Sequence, residues 1–201
     1  MSAALTLEGP LDETALRRGL TEITHRHEVL RTTFEVLNGE PKQVVHEAVE
    51  FQMPTVLLNE DSEEACLSRA REMAQEEARL PFLLDREQLL RVKLLRISSV
   101  QHVLLVTMHH IVSDGWSIGV LTRELAALYE SYRTGSEATL APLPVQYSDF
   151  ARWQREWLSG EVLERQLGYW RKQLADAPPI LALPTDRPRR GERTGLSLIH
   201  I

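Results

Sequence analysis

The sequence predicts an α/β protein, and three observations carry that prediction. Residues 103–108, Val-Leu-Leu-Val-Thr-Met, form a short β-branched apolar run of the length and composition of a buried strand. Residues 118–129 carry apolar side chains at helical spacing, so a strand, a loop and a helix follow in direct succession. Two further stretches, from Asp12 and from Asp61, repeat apolar residues with helical period between short strand-like runs.

Taken in order, residues 4–9 read as a strand stopped by Gly9-Pro10. Asp12 caps a helix whose stripe is Leu11, Ala15, Leu16, Leu20 and Ile23. Residues 34–37 and 43–46 pair as a hairpin around Asn38-Gly39-Glu40-Pro41, and residues 56–58 form a further short strand. A helix from Asp61 to about Arg79 is halted at Leu80-Pro81. Residues 90–97 and 102–108 then form an antiparallel pair joined by Ser98-Ser99-Val100-Gln101. After the helix near Trp116 come a polar loop at 135–138 and an aromatic helical stretch from Tyr147 through Trp157 to Tyr169-Trp170, its rings expected in core or interface packing.

Composition bounds the function. A net charge of -6 argues against nucleic acid as the main partner, and no apolar run reaches the length of a membrane span. The single Cys66 excludes an internal disulfide and fits a reducing, cytoplasmic setting; the first residues lack the basic stretch and apolar core of a secretory signal.

The chemistry concentrates at the strand end, in Met108-His109-His110-Ile111-Val112-Ser113-Asp114-Gly115-Trp116-Ser117. Successive strand residues point to opposite faces, so one histidine faces reactants while the other packs or hydrogen-bonds behind it. Asp114 can return to satisfy a buried cation or a backbone amide, and Gly115 allows close approach or positive φ. A structural histidine pair and a metal site with Asp114 remain alternatives. The metal is disfavoured because its ligands must converge and adjacent strand histidines diverge.

This stretch has the form HHxxxDG, and it resembles the active-site motif of condensation domains from nonribosomal peptide synthetases. Other acyltransferases that use coenzyme A carry similar versions of it. Residues 26–34, RHEVLRTTF, match a second motif of that family, RHExLRTxF; YSDFARW at 147–153 and LPTDRPR at 183–189 resemble later ones. The resemblance implies a chloramphenicol-acetyltransferase-like lobe, a mixed or antiparallel sheet with packed helices, forming half of a two-lobe domain. It assigns residues 1–195 to the N-terminal lobe. The family's first motif, of the Ala-Gln-x-Arg type, finds no match, and the family continues past LPTDRPR into a C-terminal lobe. Residues 196–201 resemble a translated sequencing adapter.

What the resemblance implies for function is amide formation between a donor thioester and an aminoacyl acceptor. Both ride on phosphopantetheine arms of upstream and downstream peptidyl carrier proteins, beside an adenylation domain, with no cofactor or metal held by this chain. His110 stands nearest the chemistry, His109 supports it, and Gly115 keeps the passage open to the arm. Asp114 belongs to the motif as a structural group paired with Arg26, and Arg31 lends further support. Trp116 and Ser117 face substrate, in a form resembling the subtype that takes donors ending in an L-residue. Two alternatives stand: a stand-alone acyltransferase using coenzyme A or one carrier protein, and a non-catalytic module of the same fold that recruits partner proteins. Modules of the latter kind commonly lose the histidine motif. One lobe alone is expected to be inactive.

Overall fold

The computed structural model describes residues 1–136, 140–178 and 184. They fall into two units, Met1–Gln154 and, from Arg155, a second unit. The first contains β1 (Ser2–Glu8), α1 (Glu13–Arg26), a 3-10 turn (Glu28–Arg31), β2 (Thr32–Leu37), β3 (Glu40–Val45), β4 (Thr55–Leu57), α2 (Glu63–Arg79), β5 (Leu90–Arg96), β6 (Gln101–Met108) and α3 (Gly115–Thr134). Helix α4 (Tyr147–Trp157) runs across the boundary, and α5 (Gly160–Gln173) belongs to the second unit, where Leu163, Leu167, Tyr169, Trp170 and Leu174 are exposed. Residues 196–201 and most of LPTDRPR lie outside the described residues.

The main sheet has the order β1-β6-β5-β4, with β4 parallel to β5 and the other pairs antiparallel. Strand β6 is central, and its apolar run reflects burial on both faces. Leu104, Val106 and Met108 join Leu90, Val92 and Leu94 of β5 in the larger core, together with Leu16, Leu20 and Ile23 of α1 and Leu128 of α3. The alternate residues Val103 and Leu105 meet Cys66 and Ala70 of α2 on the other side. Period two on one strand thus supplies two separate cores.

Helix starts follow the capping logic. Asp12 accepts the Ala15 N–H and caps α1. At α2 the cap is Ser62, one residue beyond Asp61, and it accepts the Ala65 N–H. The β2–β3 hairpin is tighter than the sequence suggests. Its turn is Asn38-Gly39 alone, both at positive φ (55° and 83°), while Glu40 and Pro41 already belong to β3. This pair forms a second, two-stranded sheet. The aromatics of α4 depart from core packing. Tyr147, Phe150 and Trp153 follow one another at ring separations of 5.8 and 5.7 Å, and each is exposed. Their i, i+3 spacing puts them on one face of the helix.

Helices α1 and α3 lie against each other on the larger-core side, and Gly19 sets how close they come. A Cβ at this position would stand 3.0 Å from Leu125 Cδ1 and 3.6 Å from Leu128 Cβ. In Gly19→Ala the gain in helix propensity, ~1 kcal/mol, offsets a small shift of the Leu125 methyl, so thermal stability stays near wild type. Gly19→Leu overpacks the seam and is expected to cost ~1–3 kcal/mol, read as a lower midpoint in urea unfolding.

Candidate functional site

Strand β6 ends at Met108, but its pairing reaches one residue further, because the His109 N–H donates to the Leu89 carbonyl at 3.0 Å. The chain then turns sharply. The His109 carbonyl accepts from the Val112 N–H at 3.1 Å and from the Ser113 hydroxyl at 3.0 Å. The two histidines part company at this turn. The His109 ring packs edge-on against Phe82, centroids 5.9 Å apart, and its Nδ1 accepts the Ile111 N–H at 3.0 Å. In the neutral ring this places the proton on Nε2. Burial pushes the His109 pKa down, helped by the terminal ammonium and by His110. His110 is exposed and lines a cleft of about 330 Å³.

That cleft is walled by the turn itself (His110 to Asp114), by Ser117 of α3, by His27 and Val29, and by Leu143, Val145, Gln146 and Tyr147 at the start of α4. It gathers residues from three separate stretches of the chain.

Asp114 is the N-cap of α3. Its Oδ1 accepts the Ser117 N–H at 2.8 Å and the Ser117 hydroxyl at 2.6 Å, while that hydroxyl also accepts the Asp114 N–H at 3.2 Å. These bonds hold the Asp114 pKa below the usual carboxylate range. Of the two roles open to Asp114, the backbone amide is therefore the one taken, and the expected pairing with Arg26 is not formed. The reason is distance along α3. Arg26 meets Glu124, at 3.2 Å, ten residues beyond the cap and so roughly 15 Å along the helix. The Arg26 Nη2 group also donates to the Ala141 carbonyl at 2.6 Å.

The remaining expected residues sort clearly. The Ser117 hydroxyl spends its proton on Asp114, leaving an oxygen lone pair for any substrate. Gly115 is the first residue of α3 without positive φ, and a Cβ there would meet nothing within 4 Å, so neither crowding nor backbone strain inside this chain demands glycine. Trp116 is 81% exposed and borders a smaller apolar cleft with Val112, Val120 and Leu121. Arg31 lies behind the wall: one guanidinium nitrogen donates to the His46 carbonyl, another sits 3.6 Å from Glu28, and its Nε is buried without a partner among the described residues.

His27 is a cleft residue that the charge pattern of RHEVLRTTF did not single out. Its Nε2 lies 2.6 Å from Glu124 Oε2. A signal was present on α3, where Leu121, Glu124, Leu125 and Leu128 share a stripe; a carboxylate on an inward face needs partners. Gln146 completes the corner by donating to the Arg26 carbonyl at 2.9 Å and accepting the Glu28 N–H at 3.2 Å.

Comparison with known proteins decides the family. The condensation-domain family model matches residues 1–195. This chain is a condensation-domain family member. It is 50% identical over 92% of its length to a linear gramicidin synthase of Brevibacillus parabrevis, covering 2% of that protein. It is 42% identical over 94% of its length to the phosphinothricin tripeptide synthetase PhsC of Streptomyces viridochromogenes, covering 17%. Among solved structures it superposes on the X-domain from teicoplanin biosynthesis with a TM-score of 0.84 at 33% identity, spanning 94% of this chain and 42% of that one. The starter condensation domain of the rhizomide synthetase RzmA, at 16% identity and a TM-score of 0.79, shares the fold. The chain thus spans less than half of these solved domains and a small part of the curated synthetases. No helix among the described residues is long and apolar enough to cross a membrane.

The geometry of this condensation-domain site sets two expectations. Asp114→Ala leaves the first turn of α3 without its cap and is expected to lower Tm by roughly 2–5 °C. Asp114→Asn, which still accepts the amide, recovers most of the loss; an uncapped helix with unchanged Tm contradicts the role. The second concerns acid. Burial lowers the pKa of His102 as well as His109, with Arg96 adding to the effect at His102, whose Nδ1 is buried without a partner among the described residues. A folded-state pKa below the unfolded value of ~6.5 means the unfolded chain binds protons first. Stability is therefore intact above ~6.5 and falls as pH drops below it, before the carboxylates titrate. Urea midpoints measured down through this window should fall, and His102→Gln should flatten the slope.

Proposed function

We propose that this chain supplies the histidine-bearing face of an amide-forming site within a larger nonribosomal peptide synthetase. The observation that carries the reading is the placement of His110, exposed at a doubly buried strand's end and open to a cleft, in an intact HHxxxDG motif. The acceptor's α-amine nitrogen attacks the donor's thioester carbonyl carbon, the carbon–sulfur bond breaks, and the pantetheine thiol leaves. The nitrogen sheds a proton, which His110 takes and passes to the leaving sulfur. Donor and acceptor are both carried on phosphopantetheine arms of carrier proteins; this chain's residues orient them and hold no cofactor of their own.

The magnitudes favour positioning over base strength. An α-amine with a pKa of ~8 is roughly one-tenth free at neutral pH, a deficit of ~1.4 kcal/mol. General-base assistance offers ~10²–10⁴-fold, whereas enforced proximity of two tethered reactants is worth ~7–11 kcal/mol. His110 therefore orients the amine and accepts its proton late. His109 backs the turn from its seat on Phe82, Arg26 and Arg31 brace the wall, and Gly115 and Trp116 face the approaching arm. A donor ending in an L-residue suits the Gly115-Trp116-Ser117 sequence.

A second reading has one observation in its favour, the superposition on the teicoplanin X-domain, which is also known in complex with OxyB. Under it, the cleft face recruits a partner protein and makes no bond. The two separate cleanly. In the synthetase carrying this segment, His110→Ala is expected to reduce condensed product, read by mass spectrometry, by ~10²-fold or more while carrier loading is unchanged. Undiminished product from the variant overturns the catalytic reading and leaves recruitment.

The 201-residue chain alone is expected to give no more amide than a blank when offered both loaded carriers, since enforced proximity then fails. Clear turnover by the chain alone shows that this lobe suffices.

A further inference from the structure

The Arg26–Glu124–His27 cluster does more than tie α1 to α3. The Glu124 side chain is only 14% exposed and takes two partners, the Arg26 Nε at 3.2 Å and the His27 Nε2 at 2.6 Å. Arg26, itself 14% exposed, already supplies a permanent positive charge to balance the carboxylate. In the neutral ring, the Nε2 position facing Glu124 carries the proton and donates it to that carboxylate. In that tautomer Nδ1 bears a lone pair, and it makes no hydrogen bond to any described residue. His27 also lines the cleft that His110 lines, and with Nε2 engaged by Glu124 its remaining ring nitrogen is Nδ1.

We propose that His27, oriented by Glu124, is a substrate-positioning residue whose Nδ1 accepts an N–H of the incoming amine and holds it on the cleft wall within reach of His110. The inference rests on reading the cleft as the amide-forming site. It gives the two imidazoles different work. His27 has a carboxylate behind it and a fixed tautomer, which suits a steady acceptor. His110 stands exposed on a turn and is the one placed to take the proton. The backbone around His27 is held firmly enough for the role, because Gln146 grips both Arg26 and Glu28 on either side of it.

Two substitutions separate this role from a purely structural one. Asn at position 27 keeps an acceptor oxygen where Nδ1 stood and loses the contact to Glu124. Gln keeps an N–H where Nε2 stood, retaining Glu124, and loses the acceptor in the cleft. In the synthetase carrying this segment, steady-state kinetics with the aminoacyl acceptor varied against saturating donor are expected to show H27Q raising the acceptor KM by roughly 10- to 100-fold. H27N stays within about threefold of wild type, and the donor KM is unchanged in both. The reverse pattern, Gln normal and Asn impaired, makes the pair a helix-to-helix tie and overturns the proposal, as does an equal effect of both.

A second readout needs no turnover. In a long-range ¹H–¹⁵N spectrum of the chain, the neutral His27 ring should carry its proton on Nε2, and a neutral ring protonated on Nδ1 overturns the proposal. No amide from the wild-type synthetase would overturn the functional reading itself; amide from the wild type with the wrong variant pattern removes His27 alone.

Discussion

The burial of β6 on both faces is the constraint on which the rest of the structure depends. A strand flanked by β1 and β5 and covered by α1 and α3 on one side and α2 on the other has little room for polar side chains, and the two it holds past its first residue, His102 and Thr107, are buried with it. An exposed imidazole can stand only where the strand stops. His109 and His110 stand at that stop, with the last backbone bond of the ladder, from His109 to Leu89, fixing where the turn begins. The precision of the site is thus inherited from the sheet, and the loop contributes little freedom of its own.

Charge organises the second layer. Three carboxylates with restricted exposure, Glu13, Glu77 and Glu124, each meet a basic partner from another element: Arg96; Arg91 and Lys93; Arg26 and His27. Breaking one such pair leaves the other group uncompensated, which is why these contacts specify arrangement more than they add stability. Glu77 shows the pattern on the far side of the sheet. Although burial alone would raise its pKa, Lys93 and Arg91 together bring it below the usual value. Glu124 applies the same device beside the cleft, joining α3 to the end of α1.

The elements were legible in the sequence because each has a local cause. Doubled burial makes β6 read as an unbroken apolar run, the Asn38-Gly39 pair announces its hairpin, and Asp12 announces α1. The motif turn was equally plain. What stayed hidden was pairing at long range. Asp114 and Arg26 look like partners in a linear reading because both are charged and both belong to motifs. The choice among carboxylates depends on how far along α3 each one sits, which spacing within a motif does not encode. His27 escaped for the same reason, since Glu124 is 97 residues away. The α4 aromatics mark another limit: a stripe of rings on one face reveals amphipathicity without saying whether that face is covered.

The pairing of β1 with β6 carries a consequence for the order in which the chain takes shape. Ser2 aligns with Thr107 and Glu8 with Gln101, so β1 has its hydrogen-bonding neighbour about a hundred residues downstream. Strands β5 and β6 need only a short connection to meet, and closing so small a loop costs little entropy. On a ribosome, β1 therefore emerges before its partner β6 and waits for it through the making of both α1 and α2. The β5–β6 hairpin closes late and then receives β1 as its outer neighbour. Non-local pairing of this kind slows folding and leaves a strand exposed while it waits. The turn bearing the two histidines, which emerges last of this group, takes its form only after that early strand has been recovered.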